Sequence, residues 1–291
     1  MRDEFAGFHP LVNLIFFLLV LGFGMFAMHP VCLMVSLIGA LCYCALINGT
    51  RKMLKNLGIA LPMMLFVGAL NAAFNHAGVT PLMYLPNGNA ITLESLVYGA
   101  ASGVMLVSVL CWFSCFNAVM STDKLIFLFG RAAPSLSILL SMTLRFIPRF
   151  RTQLTRIRQA RRGMNGGERS RLREAVQLTS AMLGWSMENA IETADSMKCR
   201  GHGLPGRTSY SNYRMDSRDR AMLVWLGFCA VYLISGAAAG GFYWRYYPGF
   251  TDGELTPMRL SFMAVHLALA LTPVLIDLWE DRKWKLLRSE I

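Results

Sequence analysis

Residues 143–163 read TLRFIPRFRTQLTRIRQARRG, and they lie inside a basic region that separates two groups of apolar segments. That region, residues 119–220, holds 18 of the 28 Lys and Arg residues of the chain. Sequence of membrane-spanning length and apolarity precedes and follows it. In membrane proteins, the cytoplasmic loops carry an excess of Lys and Arg. The basic stretch therefore predicts a membrane protein with one large cytoplasmic region.

The composition agrees with a membrane location, because 55% of the 291 residues are hydrophobic and only 15% are charged. A helix needs about 20 apolar residues to cross a bilayer core of roughly 30 Å. Six segments meet this requirement: Leu11–Met28, Val31–Ile47, Leu57–Asn75, Leu96–Met120, Ala221–Trp244 and Leu260–Ile276. The predicted fold is an all-α integral membrane protein with about six transmembrane helices. Amphipathic helices are expected in the cytoplasmic region between the fourth and fifth spans.

The charge distribution also predicts the orientation. With the N-terminus inside, 26 of the 28 Lys and Arg residues lie on the cytoplasmic side, and Arg245 and Arg259 lie outside. Both termini are therefore expected in the cytoplasm of a multi-pass protein of the cell membrane. The chain divides accordingly into residues 1–120 with four spans, residues 121–220 as the cytoplasmic region, and residues 221–291 with two spans and a tail.

The cytoplasmic region is expected to contain two amphipathic helices. Pro134–Pro148 is apolar, too short to span and closed by proline, which suits a separate interfacial helix. The first amphipathic helix follows it and ends at Gly163, which is placed to act as a left-handed cap. Its apolar stripe recurs at helical spacing at Phe146, Phe150, Leu154 and Ile157.

The second amphipathic helix is longer, from about Ser170 to about Arg200, and Gly201 follows it. Its predicted apolar stripe consists of Leu172, Val176, Thr179, Leu183, Ser186, Ala190, Ala194 and Met197. Small residues admit the close approach of another helix. The small residues expected at a helix crossing are Ala181, Gly184 and Ser186.

Both helices end in an Arg-Gly pair, Arg162-Gly163 and Arg200-Gly201. A guanidinium at a helix terminus, followed by a residue without a side chain, suits insertion into a carboxylate-lined groove. The basic region has three interpretations: an anchor for anionic lipid of the bilayer, a nucleic-acid surface, or a protein-docking surface. Nucleic acid is disfavoured as a partner, because the region lacks the aromatic or groove-reading elements of such domains. The repeated Arg-Gly ending favours protein docking.

The sequence lacks the features typical of ATPases, metal-binding proteins, hydrolases and self-powered pumps. It has no Gly-x4-Gly-Lys-Ser/Thr motif, so we expect no phosphate-binding loop for ATP. Its five His and seven Cys residues are dispersed, without the spacing of a metal site or a hydrolase. The predicted spans offer only His266 as an interior proton or ion relay, which disfavours a self-powered pump. We therefore expect no catalytic residues, no metal site and no cofactor.

A resemblance to a known family rests on four motifs in order. They are TLRFIP at 143–148, IRQARRG at 157–163, ADSMKCRGHG at 194–203 and GRTSY at 206–210. Together with the span count and the start of the first span at His9-Pro10-Leu11, they resemble the transmembrane T component of energy-coupling factor (ECF) transporters, the CbiQ-like permeases.

The resemblance implies a non-catalytic coupling subunit of an importer. In that family two crossing coupling helices dock their Arg-Gly ends on two ABC-type ATPase subunits. ATP-driven closure then reorients a separate membrane-embedded S component, which binds a vitamin or a transition-metal ion. The residues that match the docking ends are Arg161, Arg162, Gly163, Cys199, Arg200 and Gly201, and either Arg161 or Arg162 inserts at the first end.

Two other classes of protein compete with this interpretation. One is a membrane adaptor that binds anionic lipid, and the other is an intramembrane enzyme with a basic lipid-facing cytoplasmic loop. The enzyme would need paired catalytic residues at the bilayer surface, and the sequence offers none. Co-purification with ATPases would separate a coupling subunit from both alternatives.

Labelling of single cysteine probes from outside intact cells tests the predicted topology. Probes placed in residues 76–95 and 246–258 should react with a membrane-impermeant maleimide, because these residues are assigned to the outside. A probe near Gly166 should react only after the cells are permeabilised. Labelling of that probe in intact cells would show that the orientation is wrong.

Overall fold

The structure is a computed structural model that describes residues 4–84, 90–164, 171–205, 213–249, 251–252 and 256–289. Within these ranges, the side chains of residues 131, 132, 134, 162, 164, 171, 251, 252 and 289 lie outside the description. Almost all of the regular structure is helical. The predicted all-α membrane class is therefore confirmed.

The described part of the chain contains nine α-helices and two short hairpins. The helices are α1 Pro10–Phe26, α2 Pro30–Asn48, α3 Thr50–Phe74, α4 Leu93–Val119, α5 Thr122–Ala132, α6 Pro134–Met164, α7 Arg171–Cys199, α8 Ser217–Ala238 and α9 Pro257–Ser289. Strands β1 Pro81–Tyr84 and β2 Ala90–Thr92 pair antiparallel, as do β3 Trp244–Arg245 and β4 Thr251–Asp252. The loop after α3 thus carries a hairpin.

Five helices, α2, α3, α4, α8 and α9, are long and apolar enough to cross a membrane, and α1 is a shorter apolar helix of 17 residues. The chain is a multi-pass membrane protein. Two of these helices extend beyond the predicted spans by seven residues or more at one end. The helix α3 begins at Thr50 instead of Leu57, and α9 continues to Ser289. Lys and Arg have high helix propensity, so the charged flanks of both spans continue the helix.

The chain forms two compact units, Met1–Lys124 with Tyr213–Ile291, and Leu125–Asn212. Several buried polar groups of the first unit are paired inside the helix bundle. The Trp112 indole N–H donates to Ser36 Oγ at 3.1 Å, and the hydroxyls of Ser36 and Ser108 lie 2.8 Å apart. Such pairing is required where lipid offers no hydrogen bonds. The bundle therefore holds α2 against α4 by a polar contact as well as by apolar packing.

The N-terminal segment of the first unit is bound to the ends of α8 and α9. The backbone N–H of Phe5 donates to Asp277 Oδ1 at 3.2 Å, and that of His9 donates to Asp219 Oδ1 at 3.0 Å. Arg218 lies over the Phe8 ring at 4.3 Å and forms an ion pair with Glu280 at 3.2 Å. The hydrogen bonds of Phe5 and His9 join residues more than 200 positions apart in sequence. They bring the two transmembrane parts of the chain into one unit.

Pro148 does not end a helix, contrary to the prediction of a separate interfacial segment at Pro134–Pro148. The helix α6 runs without interruption from Pro134 to Met164. A proline inside a helix removes one backbone donor and crowds the preceding turn. The turns on both sides nevertheless form, and Thr152 Oγ1 donates to the Pro148 carbonyl at 3.0 Å. The apolar segment and the first amphipathic helix are thus one continuous element.

Gly99 lies at a close approach of α3 and α4. A Cβ at this position would lie 2.9 Å from the Gly68 carbonyl oxygen and 3.0 Å from Gly68 Cα. Both atoms belong to the backbone, so the two helices would have to separate. Gly99→Ala should lower stability in detergent by about 1–3 kcal/mol, as overpacking does in a closely packed core.

Gly227→Ala is the matched control, because no described atom lies within 4 Å of a Cβ built at Gly227. This variant should be neutral or slightly stabilising, since alanine favours a helix more than glycine does. The thermal stability of both variants is measured by heating the protein and monitoring the folded fraction with fluorescence-detected size-exclusion chromatography. Equal stability of the two variants would contradict the close approach at Gly99.

Candidate functional site

The helices α6 and α7 of the second unit pack against each other as an antiparallel hairpin. Near one end, Arg161 Nη1 donates to Gln177 Oε1 at 2.6 Å. In the middle, the rings of Phe150 and Trp185 meet edge to face, with centroids 5.3 Å apart at 86°. Positions with lower residue numbers in α6 thus face positions with higher residue numbers in α7, which means that the two helices run antiparallel. We call these two elements, Pro134–Met164 and Arg171–Cys199, the α6–α7 hairpin.

The predicted amphipathic pattern of α6 is confirmed. Its apolar positions Phe146, Phe150, Leu154 and Ile157 are half-buried. The arginines on its other faces are exposed, namely Arg149, Arg151, Arg156 and Arg158. The helix therefore directs its apolar stripe toward α7 and its positive charge toward solvent.

Most of the predicted apolar stripe of α7 does not pack against α6. Leu172, Val176 and Leu183 are 79%, 62% and 59% exposed. The face toward α6 instead contains Gln177 and Trp185, which contact Arg161 and Phe150. The helix carries apolar side chains on more than one face, and the large Trp185 ring determines which face packs. The helix α7 therefore keeps an exposed apolar surface.

The C-terminus of α7 has a well-defined glycine cap. Gly201 adopts a left-handed backbone with φ +78°. The N–H of His202 donates to the Met197 carbonyl at 3.0 Å, and the N–H of Gly201 donates to the Lys198 carbonyl at 2.9 Å. This pair of hydrogen bonds defines a Schellman motif. The predicted end of this helix before Gly201 is confirmed, and the cap fixes the backbone from which Arg200 projects.

The other Arg-Gly pair does not form a cap. Gly163 lies inside α6, which continues to Met164, and its φ is not positive. Glycine lowers helix propensity by about 1 kcal/mol, which one residue near a helix end tolerates. The predicted cap at Gly163 is therefore wrong. Asn165, Gly166 and Gly167, which the sequence places behind it, lie outside the described residues.

The two candidate arginines of the first end differ in their surroundings. Arg161 is half-buried and donates to Gln177, so its guanidinium already serves the contact between α6 and α7. The side chain of Arg162 lies outside the description, and its backbone belongs to α6. Arg161 thus contributes to the contact that holds α6 against α7.

A cleft of about 610 Å³ lies between α6 and α7 near Arg200. It is lined by Met142, Arg145, Phe146, Arg149, Asn189, Glu192, Thr193, Ser196, Met197, Arg200, Gly201 and His202. Arg145, Arg149 and Arg200 are exposed, and among the described residues none of them forms an ion pair. Sequence reasoning did not group these arginines. Their grouping depends on the register of α6 against α7, which the motifs do not encode.

The two Arg-Gly pairs lie at opposite ends of the hairpin. Arg200 shares a cleft with Arg145, whereas Arg162 is 17 residues further along α6. At 1.5 Å per helical residue, this corresponds to about 25 Å. The hairpin therefore presents two separate Arg-Gly pairs and not one combined surface.

The residues predicted for a helix crossing take different positions on α7. Ala181 and Ser186 are half-buried, and Ser186 Oγ donates to the Leu183 carbonyl at 2.9 Å. Gly184 is exposed, and no described atom lies within 4 Å of a Cβ built there. Cys199 is an exposed free thiol at the last turn of α7. Close packing of another helix at Gly184 thus stays a prediction, and α6 does not provide that contact among the described residues.

Comparison with known proteins places these features in a family. The model of the family described as CbiQ, cobalt transport protein, matches residues 7–210. A similar relative is the energy-coupling factor transporter transmembrane protein EcfT of Lactococcus lactis, 31% identical over 105 residues. That alignment spans 34% of this chain and 40% of the relative.

Substitution of the two glycines by alanine should have opposite effects on the hairpin. Gly201→Ala should destabilise the end of α7 by about 1 kcal/mol, because a Cβ disfavours the left-handed backbone. Gly163→Ala should stabilise the end of α6 by about 0.5–1 kcal/mol, because this glycine is helical and exposed. Hydrogen–deuterium exchange should become faster around residues 197–202 and slower around residues 160–164. Effects of the same sign would contradict the assigned backbone conformations.

Proposed function

Because the chain belongs to the CbiQ family of cobalt transport proteins, we propose that it is the transmembrane coupling component of an ECF-type ABC importer. Two ABC-type ATPase subunits bind the α6–α7 hairpin on the cytoplasmic side. A separate membrane-embedded S component binds the substrate, a vitamin or a transition-metal ion. The chain itself performs no reaction and transmits the motion of the ATPases to the S component.

The observation that carries this proposal is the arrangement of the two Arg-Gly pairs. They lie at opposite ends of one pair of packed helices, and Arg162 is about 25 Å along α6 from Arg145, which lines the cleft of Arg200. Two ATPase subunits require two docking points, and each end supplies an arginine. Because both points belong to helices that contact each other, relative motion of the two ATPases would strain or reorient the hairpin. A generic lipid anchor would need no such arrangement.

Arg162 is the proposed docking arginine of the first end. Arg161 already contacts Gln177 at 2.6 Å, and its withdrawal would cost this hydrogen bond. Arg200 is the docking arginine of the second end, where the Schellman cap of Gly201 holds its backbone. A guanidinium forms bidentate hydrogen bonds with carboxylates, which suits a groove lined by acidic residues.

The exposed apolar face of α7 is the proposed contact with the S component. Leu183, Met187 and Ile191 are 59%, 70% and 64% exposed, and Gly184 lies among them. An exposed stripe of this kind on a helix is suited to pack against another apolar helix. Gly184 would let that helix approach closely. In this arrangement, both termini and the hairpin lie in the cytoplasm, and the remaining apolar helices cross the cell membrane.

Alanine substitution of the docking arginines tests the proposed function. Arg162→Ala and Arg200→Ala should each weaken ATPase association by about 2–5 kcal/mol, as loss of one partner of a buried charged contact does. The double substitution should abolish substrate uptake into proteoliposomes that contain all subunits. Arg151→Ala and Arg158→Ala remove the same charge from exposed positions of α6 and should have little effect. Equal and mild effects of all four substitutions would indicate a lipid anchor of about 1 kcal/mol per arginine.

Enlargement of Gly184 tests the proposed partner surface separately. Gly184→Leu should leave this chain folded, because open space surrounds the position among the described residues. It should weaken retention of the S component, since a branched side chain blocks the close approach of a helix. Gly184→Ala is the graded control and should retain most of the association. Pull-down of the S component from detergent measures both, and full retention by Gly184→Leu would place this contact elsewhere.

A further inference from the structure

We propose that Arg145, Arg149 and Arg200 form one binding cleft for an acidic segment of the ATPase subunit that docks at this end of the hairpin. This inference rests on the proposed function and extends it, because it adds two arginines of α6 to an end that the motifs assign to Arg200 alone. The occupant is a segment with two carboxylates on either side of an apolar side chain.

The fold brings these arginines together from two helices. Arg145 and Arg149 are four residues apart in α6, so they lie on the same face one turn apart. Arg200 follows the last turn of α7, and the antiparallel register places it at the same cleft. The Schellman cap fixes the backbone of Arg200. Three arginines thus line one concave surface without any contribution from a partner.

The charge of the cleft is not balanced by the described residues of the chain. Arg145 and Arg149 repel each other at this spacing. Among the residues that line the cleft, Glu192 carries the only carboxylate, and no ion pair between it and the three arginines occurs in the described part. The cleft therefore carries a net charge of about +2 before anything binds. Two carboxylates of a partner would neutralise it.

The other lining residues favour a peptide over an anionic lipid headgroup. Met142, Phe146 and Met197 are half-buried and form an apolar floor, which accepts an aliphatic or aromatic side chain. Asn189, Thr193 and Ser196 supply neutral polar groups on the wall. Glu192 would repel a phosphate, whereas its carboxylate can accept a hydrogen bond from a peptide N–H. A mixed wall of this kind matches the anatomy of protein interfaces, in which arginine is enriched.

The test is an affinity measurement on the full-length chain in nanodiscs of neutral phosphatidylcholine, titrated with the purified ATPase subunits of its transporter. Arg145→Ala and Arg149→Ala should each weaken binding roughly tenfold or more, as Arg200→Ala does. Arg149→Lys should fall between Arg149→Ala and the unmodified chain, because lysine keeps the charge but lacks the bidentate fork. Arg151→Ala and Arg158→Ala, at exposed positions outside the cleft, should change the affinity by less than about twofold.

Glu192→Gln provides a result of opposite sign. It removes the one negative charge of the lining and keeps a hydrogen-bond acceptor, so binding should strengthen by a few-fold. Damage to the fold would not increase affinity. The salt dependence of binding should also become shallower in Arg145→Ala and Arg149→Ala, because fewer charged contacts are screened.

Two results would overturn the inference while leaving the proposed function intact. The first is wild-type affinity of Arg145→Ala and Arg149→Ala together with loss of binding by Arg200→Ala, which would assign docking to Arg200 alone. The second is an effect of the α6 variants only in nanodiscs that contain phosphatidylglycerol, which would assign the cleft to a lipid phosphate. Failure of the unmodified chain to bind the ATPases at all would instead reject the proposed function.

Discussion

The contact between the Phe150 and Trp185 rings is the interaction on which the organisation of the second unit depends. It is an edge-to-face pair with centroids 5.3 Å apart, and it lies between the polar contact at Arg161 and the arginine cleft. Such a pair contributes about 0.5–1.5 kcal/mol beyond the area that it buries. Its larger effect is on register, because it fixes which turn of α7 faces which turn of α6. That register brings Arg200 to Arg145 and leaves Arg162 at the far end.

The two units differ in how they treat their charged groups. In the first unit, Asp219, Asp277 and Glu280 each have a partner, and the backbone or side chains that they bind join distant parts of the chain. In the second unit, the described arginines of the cleft have no acidic partner. Charged groups that are paired within the chain stabilise its fold, whereas arginines without an acidic partner are available to bind another molecule. One chain thus combines a membrane bundle with internally paired charges and a helical hairpin that presents unpaired arginines among its described residues.

Much of this was predictable from sequence, and the failures have physical causes. Hydropathy and charge predicted the membrane class, because both act residue by residue. The stripe of α6 was predictable because its apolar residues occupy a single face. The face of α7 that packs on α6 was not predictable, because apolar side chains occupy more than one face of that helix. The contact between Phe150 and Trp185 determines which of these faces packs. Pro148 and Gly163 were predicted to end helices, but α6 continues through both of them. Each residue destabilises the helix only locally, and the neighbouring turns still form. The arginine cleft depends on register, which single-helix patterns do not contain.

The most direct measurement of the central claim uses Cys199, the exposed thiol adjacent to Arg200. Cys42, a second exposed thiol, is replaced by alanine, and a benzophenone maleimide is attached to Cys199 in the assembled transporter. Docking of this helix end predicts that illumination joins the chain to an ATPase subunit, and that Arg200→Ala abolishes the adduct. An adduct with lipid alone, in a complex that still retains its ATPases, would contradict the account.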